Sequence, residues 1–124
     1  MTSVGSKTRI KWEGDSQKRI GDWPKEARQD AGLELHRLDS FEETLDSKPM
    51  GKSAPDISEL RNEHLGVWYR RLYAPRAGWV YVLHCFNKKT NKTSLRDLNL
   101  AKDRFDIVRA RKDKPLNKKE ERSA

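Results

Sequence analysis

The amino-acid sequence predicts an α+β fold: a small antiparallel sheet of about four strands, with two helices near the N-terminus and one near the C-terminus. Three observations carry this. Residues 57–86 hold three runs rich in β-branched and aromatic residues, separated by short turns. Apolar residues recur at helical spacing in 24–41 and again in 98–108. Residues 7–12 alternate charged and apolar side chains, as a half-buried strand does.

The elements follow in chain order. Lys7 to Trp12 is the first strand, with Ile10 and Trp12 facing inward. Gly14 and Asp15 break it, and Asp15 or Ser16 caps a short helix running to about Trp23. Pro24 disfavours helix in the residue before it and opens the next helix, whose stripe is Ala27, Ala31, Leu35 and Leu38 and which ends near Phe41. Leu45 to Asp56 contains Pro49, Gly51, Ser53 and Pro55 and reads as a loop. Strands are expected at Ile57–Glu63, Val67–Ala74 and Trp79–Phe86, joined by turns at His64–Gly66 and Pro75–Gly78 that suit antiparallel hairpins. Ser94 and Asp97 form an S-x-x-D start for a final helix with the stripe Leu98, Ala101, Phe105 and Val108. The order is β, α, α, β, β, β, α.

With 124 residues the chain holds one domain, taken as residues 1–110, followed by a basic and disordered tail over 111–124. Lys and Arg number 27 against 19 Asp and Glu, for a net charge of +8, which favours a polyanionic partner such as nucleic acid. Most of the excess lies beyond residue 86. Cys85 is the only cysteine, which excludes an internal disulfide framework and a cysteine-based zinc site. There is no Gly-rich phosphate loop or G-x-S-x-G elbow, and His36, His64 and His84 lack metal-ligand spacing. No metal or other cofactor is implied. No apolar run approaches the ~20 residues of a membrane span, and residues 1–11 lack a signal core, so a cytoplasmic protein without membrane contact is expected.

What remains is an ordered set of motifs. Trp23-Pro24 lies between helices, Glu59-Leu60-Arg61 lies on a strand, and R-x-x-Y runs from Arg70 to Tyr73. The run from Leu83 through His84, Cys85, Phe86, Asn87, Lys88 and Lys89 to Thr90 closes a strand. This combination, over about residues 9–108, resembles the RelE/HigB superfamily of bacterial toxins, most closely its phage-derived HigB-like branch. The resemblance implies a RelE-like fold and a toxin of a type II toxin-antitoxin system. Such a toxin acts as an mRNA endoribonuclease (an mRNA interferase) on ribosome-bound message, inhibiting translation. A cognate HigA-like antitoxin with a helix-turn-helix would hold it inactive.

That chemistry needs a ribose 2′-OH deprotonated, a phosphorane stabilised and a leaving 5′-oxygen protonated. Arg61 and Arg70 suit phosphate recognition because a guanidinium forks onto two oxygens and stays charged. Removing Arg70 is accordingly expected to abolish activity, with the fold spared if its side chain is exposed. Lys88 and Lys89 add charge or act as a base, and His84 titrates in the right range as acid or base. Lys92, Arg71 and Tyr73 are the expected RNA contacts, Tyr73 by stacking.

Each has a structural alternative. Arg61 and Arg70 could form surface ion pairs with Glu59 or Glu63. Strand parity puts Val82, His84, Phe86 and Lys88 on one face and Leu83 and Cys85 on the other. His84 and Lys88 share an open face if Leu83 and Cys85 point inward, and His84 is structural otherwise. Tyr69 and Tyr73 could be core, and Trp12, Trp23 and Trp68 are assigned to packing. A second class of function is a non-catalytic phage-derived module that only binds RNA or protein. A DNA-binding protein ranks third, since no helix has the pattern of a recognition helix.

Overall fold

Alternation of charged and apolar residues does produce the first strand, β1, at Ile10–Trp12. The turn after it passes through Gly14, whose φ of +56° suits glycine, and an added Cβ there would meet the Arg104 guanidinium at 2.4 Å. Helix α1 covers Ser16–Gly21 and helix α2 covers Lys25–Asp39, with Pro24 at the N-cap of the second. Asp15 precedes α1 without capping it, because its carboxylate is taken by Arg19 at 2.9 Å and Arg104 at 3.0 Å. In this computed structural model residues 8–44, 46–90 and 92–116 are described.

The segment expected to be a loop carries one more strand, β2, at Ser47–Pro49. Its three residues, Ser47, Lys48 and Pro49, are all exposed, so no periodic apolar signal marks it. Strands β3 (Ser58–His64), β4 (Val67–Arg76) and β5 (Trp79–Lys88) follow, and helix α3 covers Leu95–Arg111. The order is thus β, α, α, β, β, β, β, α, and the sheet has five strands rather than four, in the order β1-β5-β4-β3-β2. Three neighbouring pairs are antiparallel, while β1 runs parallel to β5, with Ile10 opposite Val80 and Trp12 opposite Val82. The β3–β4 turn places Leu65 at φ 52° and Gly66 at 81°, and the β4–β5 turn places Ala77 at 53° and Gly78 at 88°. Both central residues are left-handed in each turn, as tight two-residue hairpins require.

Apolar side chains cover both faces of the sheet. One cluster joins Trp23, Ala27, Ala31 and Leu35 to Leu60, Tyr69, Tyr73, Val80, Val82 and Cys85, on the side of α1 and α2. The other joins Leu98, Ala101, Phe105 and Val108 of α3 to Leu72, Ala74, Tyr81, Leu83 and Phe86. The stripe foreseen for each long helix is the face that packs, with Leu38 only partly buried.

Between Leu72 and Tyr73 the β4–β5 ladder slips: Leu72 lies opposite His84 but Tyr73 opposite Val82, so Leu83 is an extra residue on β5. The bulge breaks the expected parity. Leu83 and His84 both belong to the α3 side, and Cys85 to the α2 side. His84 and Lys88 therefore do not share an open face with Leu83 and Cys85 on a single core face. Arg104 of α3 secures the bulge by donating to the Leu83 carbonyl at 2.8 Å.

The chain beyond residue 110 is also tied down as far as it is described. Asp113 accepts from Arg111 and, at 2.9 Å, from Tyr81, the Trp79 indole donates to the Lys114 carbonyl at 2.9 Å, and the Leu116 amide donates to Ala77. Residues 111–116 are the end of α3 and a strap on the sheet, not part of a free tail. The rest of the expected tail lies outside the described residues.

Candidate functional site

Register alone assembles the candidate site. Across β3, β4 and β5, Arg61 lies opposite Arg70 and Arg70 opposite Phe86. The next row toward the turn is Glu63, Trp68 and Lys88, and the next row inward is Glu59, Leu72 and His84. Partners in register point to the same face, and here that face carries α3. The rows lie where the helix begins, so its first turn, with Lys89, Thr90 and Lys92 to Ser94, forms the border of the site.

Most of the cations are held by carboxylates. Arg70 is fully buried, with its guanidinium 2.8 Å from Glu59, a residue also fully buried. Thr93 donates to the other Glu59 oxygen and Arg70 donates to the Thr90 carbonyl at 3.3 Å, which pins the loop to the sheet. Arg61 lies 3.0 Å from Asp46 and 5.2 Å from the centre of the half-exposed Trp68 ring, which Arg70 also approaches at 5.6 Å. The ion-pair alternative is thus realised for Arg70 with Glu59, although in the interior and not on the surface. Arg61 takes Asp46 instead of either expected partner. Trp68, assigned to packing, is part of the site.

Asp97 organises the other half. Its Oδ2 lies 2.5 Å from the Lys88 ammonium and accepts from Ser94 Oγ at 2.6 Å, while its Oδ1 meets His84 Nε2 at 2.9 Å. Ser94 Oγ in turn accepts from the Asp97 amide, so the S-x-x-D start is a true cap. Burial pushes the Asp97 pKa up, but the bonds from Lys88, Ser94 and His84 outweigh it and hold the carboxyl down to about 2. His84 is only 2% exposed and stacks on Phe86 at 4.9 Å. Burial lowers its pKa more than the Asp97 bond raises it, which favours the neutral ring.

The remaining candidates fall on different surfaces. Lys89 and Lys92 are exposed on the loop after β5, and among the described residues no carboxylate holds either. Arg71 is fully buried on the α2 face, where its guanidinium donates to Asn62 and to the Tyr69 carbonyl, and burial lowers its pKa to about 10. Tyr73 is buried on that face too, with its hydroxyl 2.8 Å from Ser47 Oγ. The core alternative weighed for Tyr73 is the one found, and neither residue offers a free ring or fork to solvent. Arg61, Arg70, Lys88 and His84 are thus brought together, with Lys89 and Lys92 at their border, while Arg71 and Tyr73 lie on the other side of the sheet.

Sequence reasoning missed Asp97 and Glu59 as site residues. A signal existed for Glu59, an acid between inward-facing strand positions that demands a buried cation. Asp97 was visible only as a cap. A groove of about 200 Å³ between the 53–57 loop and α3, lined by Ile57, Phe105 and Arg109, lies farther along the helix from Asp97 and holds none of these residues.

Fold and site together define a small basic α+β module with cations gathered at one end of its sheet, an arrangement compatible with a toxin-like protein. Among known families, the phage-derived protein Gp49-like family (DUF891) matches residues 18–106, and the chain belongs to it. That family resembles RelE/HigB-type toxins. No curated protein matches the chain at a significant level.

Proposed function

We propose that the protein is a HigB-like toxin of a type II toxin-antitoxin system, an endoribonuclease that cuts mRNA on the ribosome and is held inactive by a helix-turn-helix antitoxin. The observation that carries this reading is the convergence of Arg61, Arg70 and Lys88 in adjoining rows on one sheet face, bordered by Lys89 and Lys92. Cations fixed by a sheet before substrate arrives stabilise a phosphorane without reorganising, usually the largest single contribution to such catalysis. Arg61, Lys88, Lys89 and Lys92 meet the RNA in this reading, and a lysine of the 88–89 pair protonates the leaving 5′-oxygen. Arg70 acts from behind them through Glu59 and the loop.

Induction without a partner should arrest growth, and primer extension on a reporter mRNA should show new 5′ ends within the reading frame. Lys88→Ala with Lys89→Ala should remove both effects in a protein that melts as the wild type does. Growth and message untouched by soluble wild-type protein would end the nuclease reading. A second reading then stands, favoured by the burial of Arg70, Arg71 and His84: a module that binds RNA through its exposed lysines and does not cut it.

A further inference from the structure

We propose that Asp97 is a positioning residue of the RNA site: its carboxylate holds the Lys88 ammonium in the attitude in which it meets a phosphate, at the expense of part of that ammonium's charge. The proposal rests on the nuclease reading for its effect on rate and on charge alone for its effect on binding.

A lysine head on a four-carbon stem samples many rotamers, and a free one is poorly placed for chemistry at a defined atom. Lys88 is only one-third exposed, lies 5.6 Å from the Phe86 ring centre and ends 2.5 Å from Asp97. Asp97 is itself fixed from two rigid elements. From α3, Ser94 donates to Oδ2 at 2.6 Å and accepts from the Asp97 amide at 3.1 Å. From β5, His84 meets Oδ1 at 2.9 Å, and its ring is buried against Phe86. In the neutral His84 ring the nitrogen facing Asp97 carries the proton and donates it to the carboxylate. This explains why a buried histidine stands beside a lysine: it orients the acceptor rather than the substrate. The cap, the stack and the ion pair meet on one carboxylate; of the two cationic or titratable partners, His84 is buried while Lys88 is one-third exposed.

The consequence is a trade that a purely structural aspartate would not produce. Asp97→Asn keeps the shape, the backbone bond to Ser94 and an oxygen for one neighbour, but it releases the full Lys88 charge and loosens its hold. RNA binding should become more salt-dependent while cleavage slows. The full-length Asp97→Asn protein, shown folded by its melting transition, is titrated with a fluorescein-labelled single-stranded oligoribonucleotide over a range of salt. Cleavage of message on programmed ribosomes is followed at saturating protein.

The slope of log affinity against log salt should steepen by about 0.7, the increment for one added phosphate contact on a single strand. The rate should fall about 10- to 100-fold, the scale of a misplaced catalytic group. Neither change should occur in a Lys88→Ala background, because Asp97 acts through Lys88. Asp97→Glu, which keeps the charge but moves it by a methylene, should retain the wild-type slope and lose rate, and it serves if Asp97→Asn does not fold.

A wild-type slope in Asp97→Asn, or an equal change in the Lys88→Ala background, overturns the proposal. If the wild-type chain cuts nothing, the nuclease reading fails by itself, and the slopes still decide whether Asp97 restrains Lys88.

Discussion

At the scale of the residue, burial reverses one expectation outright. Arg70 sits on the strand where a phosphate-binding cation was expected, but its guanidinium and the Glu59 carboxylate are both sealed from solvent. Arg70→Ala therefore removes more than a substrate contact: it strands an ionised glutamate in the interior. A loss of about 3–5 kcal/mol is expected in urea denaturation, the usual cost of breaking a buried pair. Replacing both partners together, Arg70→Met with Glu59→Leu, should recover most of it, since no unpaired charge is then left. Sparing of the fold depends on an exposed Arg70, and the side chain is buried. Growth arrest lost in that variant would report instability before chemistry.

His84 makes a second prediction at this scale, with a definite sign. Its pKa in the folded chain lies below 6.5, chiefly because burial penalises the charged ring. Between that lowered value and 6.5 the unfolded chain binds the proton and the folded chain does not, so stability falls as pH drops through this window. Asp97, held down to about 2, adds a further loss between 3.8 and about 2. His84→Gln should flatten the first decline in denaturation curves taken from pH 7 to pH 5, while the wild type weakens.

At the scale of the element, the two hairpin turns are built from residues with an intrinsic cost. Leu65 holds φ 52° at 89% exposure, so it has strain without packing to offset it. Asparagine tolerates the left-handed region and is favoured before glycine in such turns. Leu65→Asn should raise stability by about 0.5–1 kcal/mol in urea denaturation, within the usual gain from such substitutions. The bulge at Leu83 sets another element-scale outcome. By turning Cys85 to the α2 side it buries the thiol fully and pushes its pKa up to about 12. Native protein should resist labelling by a thiol-specific disulfide reagent, and the cysteine should react at once in urea.

At the scale of the whole molecule, the strap at 113–116 lies against Trp79 and Ala77, at the β4–β5 turn. Lys88 ends the same strand at the other end, ten residues in all, and at about 3.3 Å per residue the two lie roughly 30 Å apart. Residues 117–124 add one net positive charge, since Lys118, Lys119 and Arg122 oppose Glu120 and Glu121. One charge is a small share of the chain's net +8. Truncation after Leu116 should reduce the salt dependence of RNA binding slightly and leave any cleavage rate unchanged. Truncation before Asp113 removes the strap together with the acceptor that Tyr81, Arg111 and Lys11 share, and the amides of the β4–β5 turn should then exchange faster.

Much of this architecture was legible in one dimension. The stripes from Ala27 to Leu35 and from Leu98 to Val108, the Pro24 start, the Ser94 cap and the two hairpins are local, governed by 3.6-residue periodicity, capping and turn chemistry that neighbouring residues decide among themselves. The gathering of Arg61, Arg70 and Lys88 was legible as far as strand order was. Three things were decided only by the folded chain. The edge strand β2 has no apolar pattern because both its faces are wet, and it exists only by pairing with β3. The sheet is covered on both sides, a state in which alternation gives way to a run such as Val80 to Phe86, apolar except at His84, so parity could not say which way His84 points. The pairing of each cation with its carboxylate, Arg70 with Glu59 and Lys88 with Asp97, joins residues many positions apart. Charge along the sequence records how many cations there are. Only tertiary packing decides which of them are neutralised in the interior and which stay at the surface.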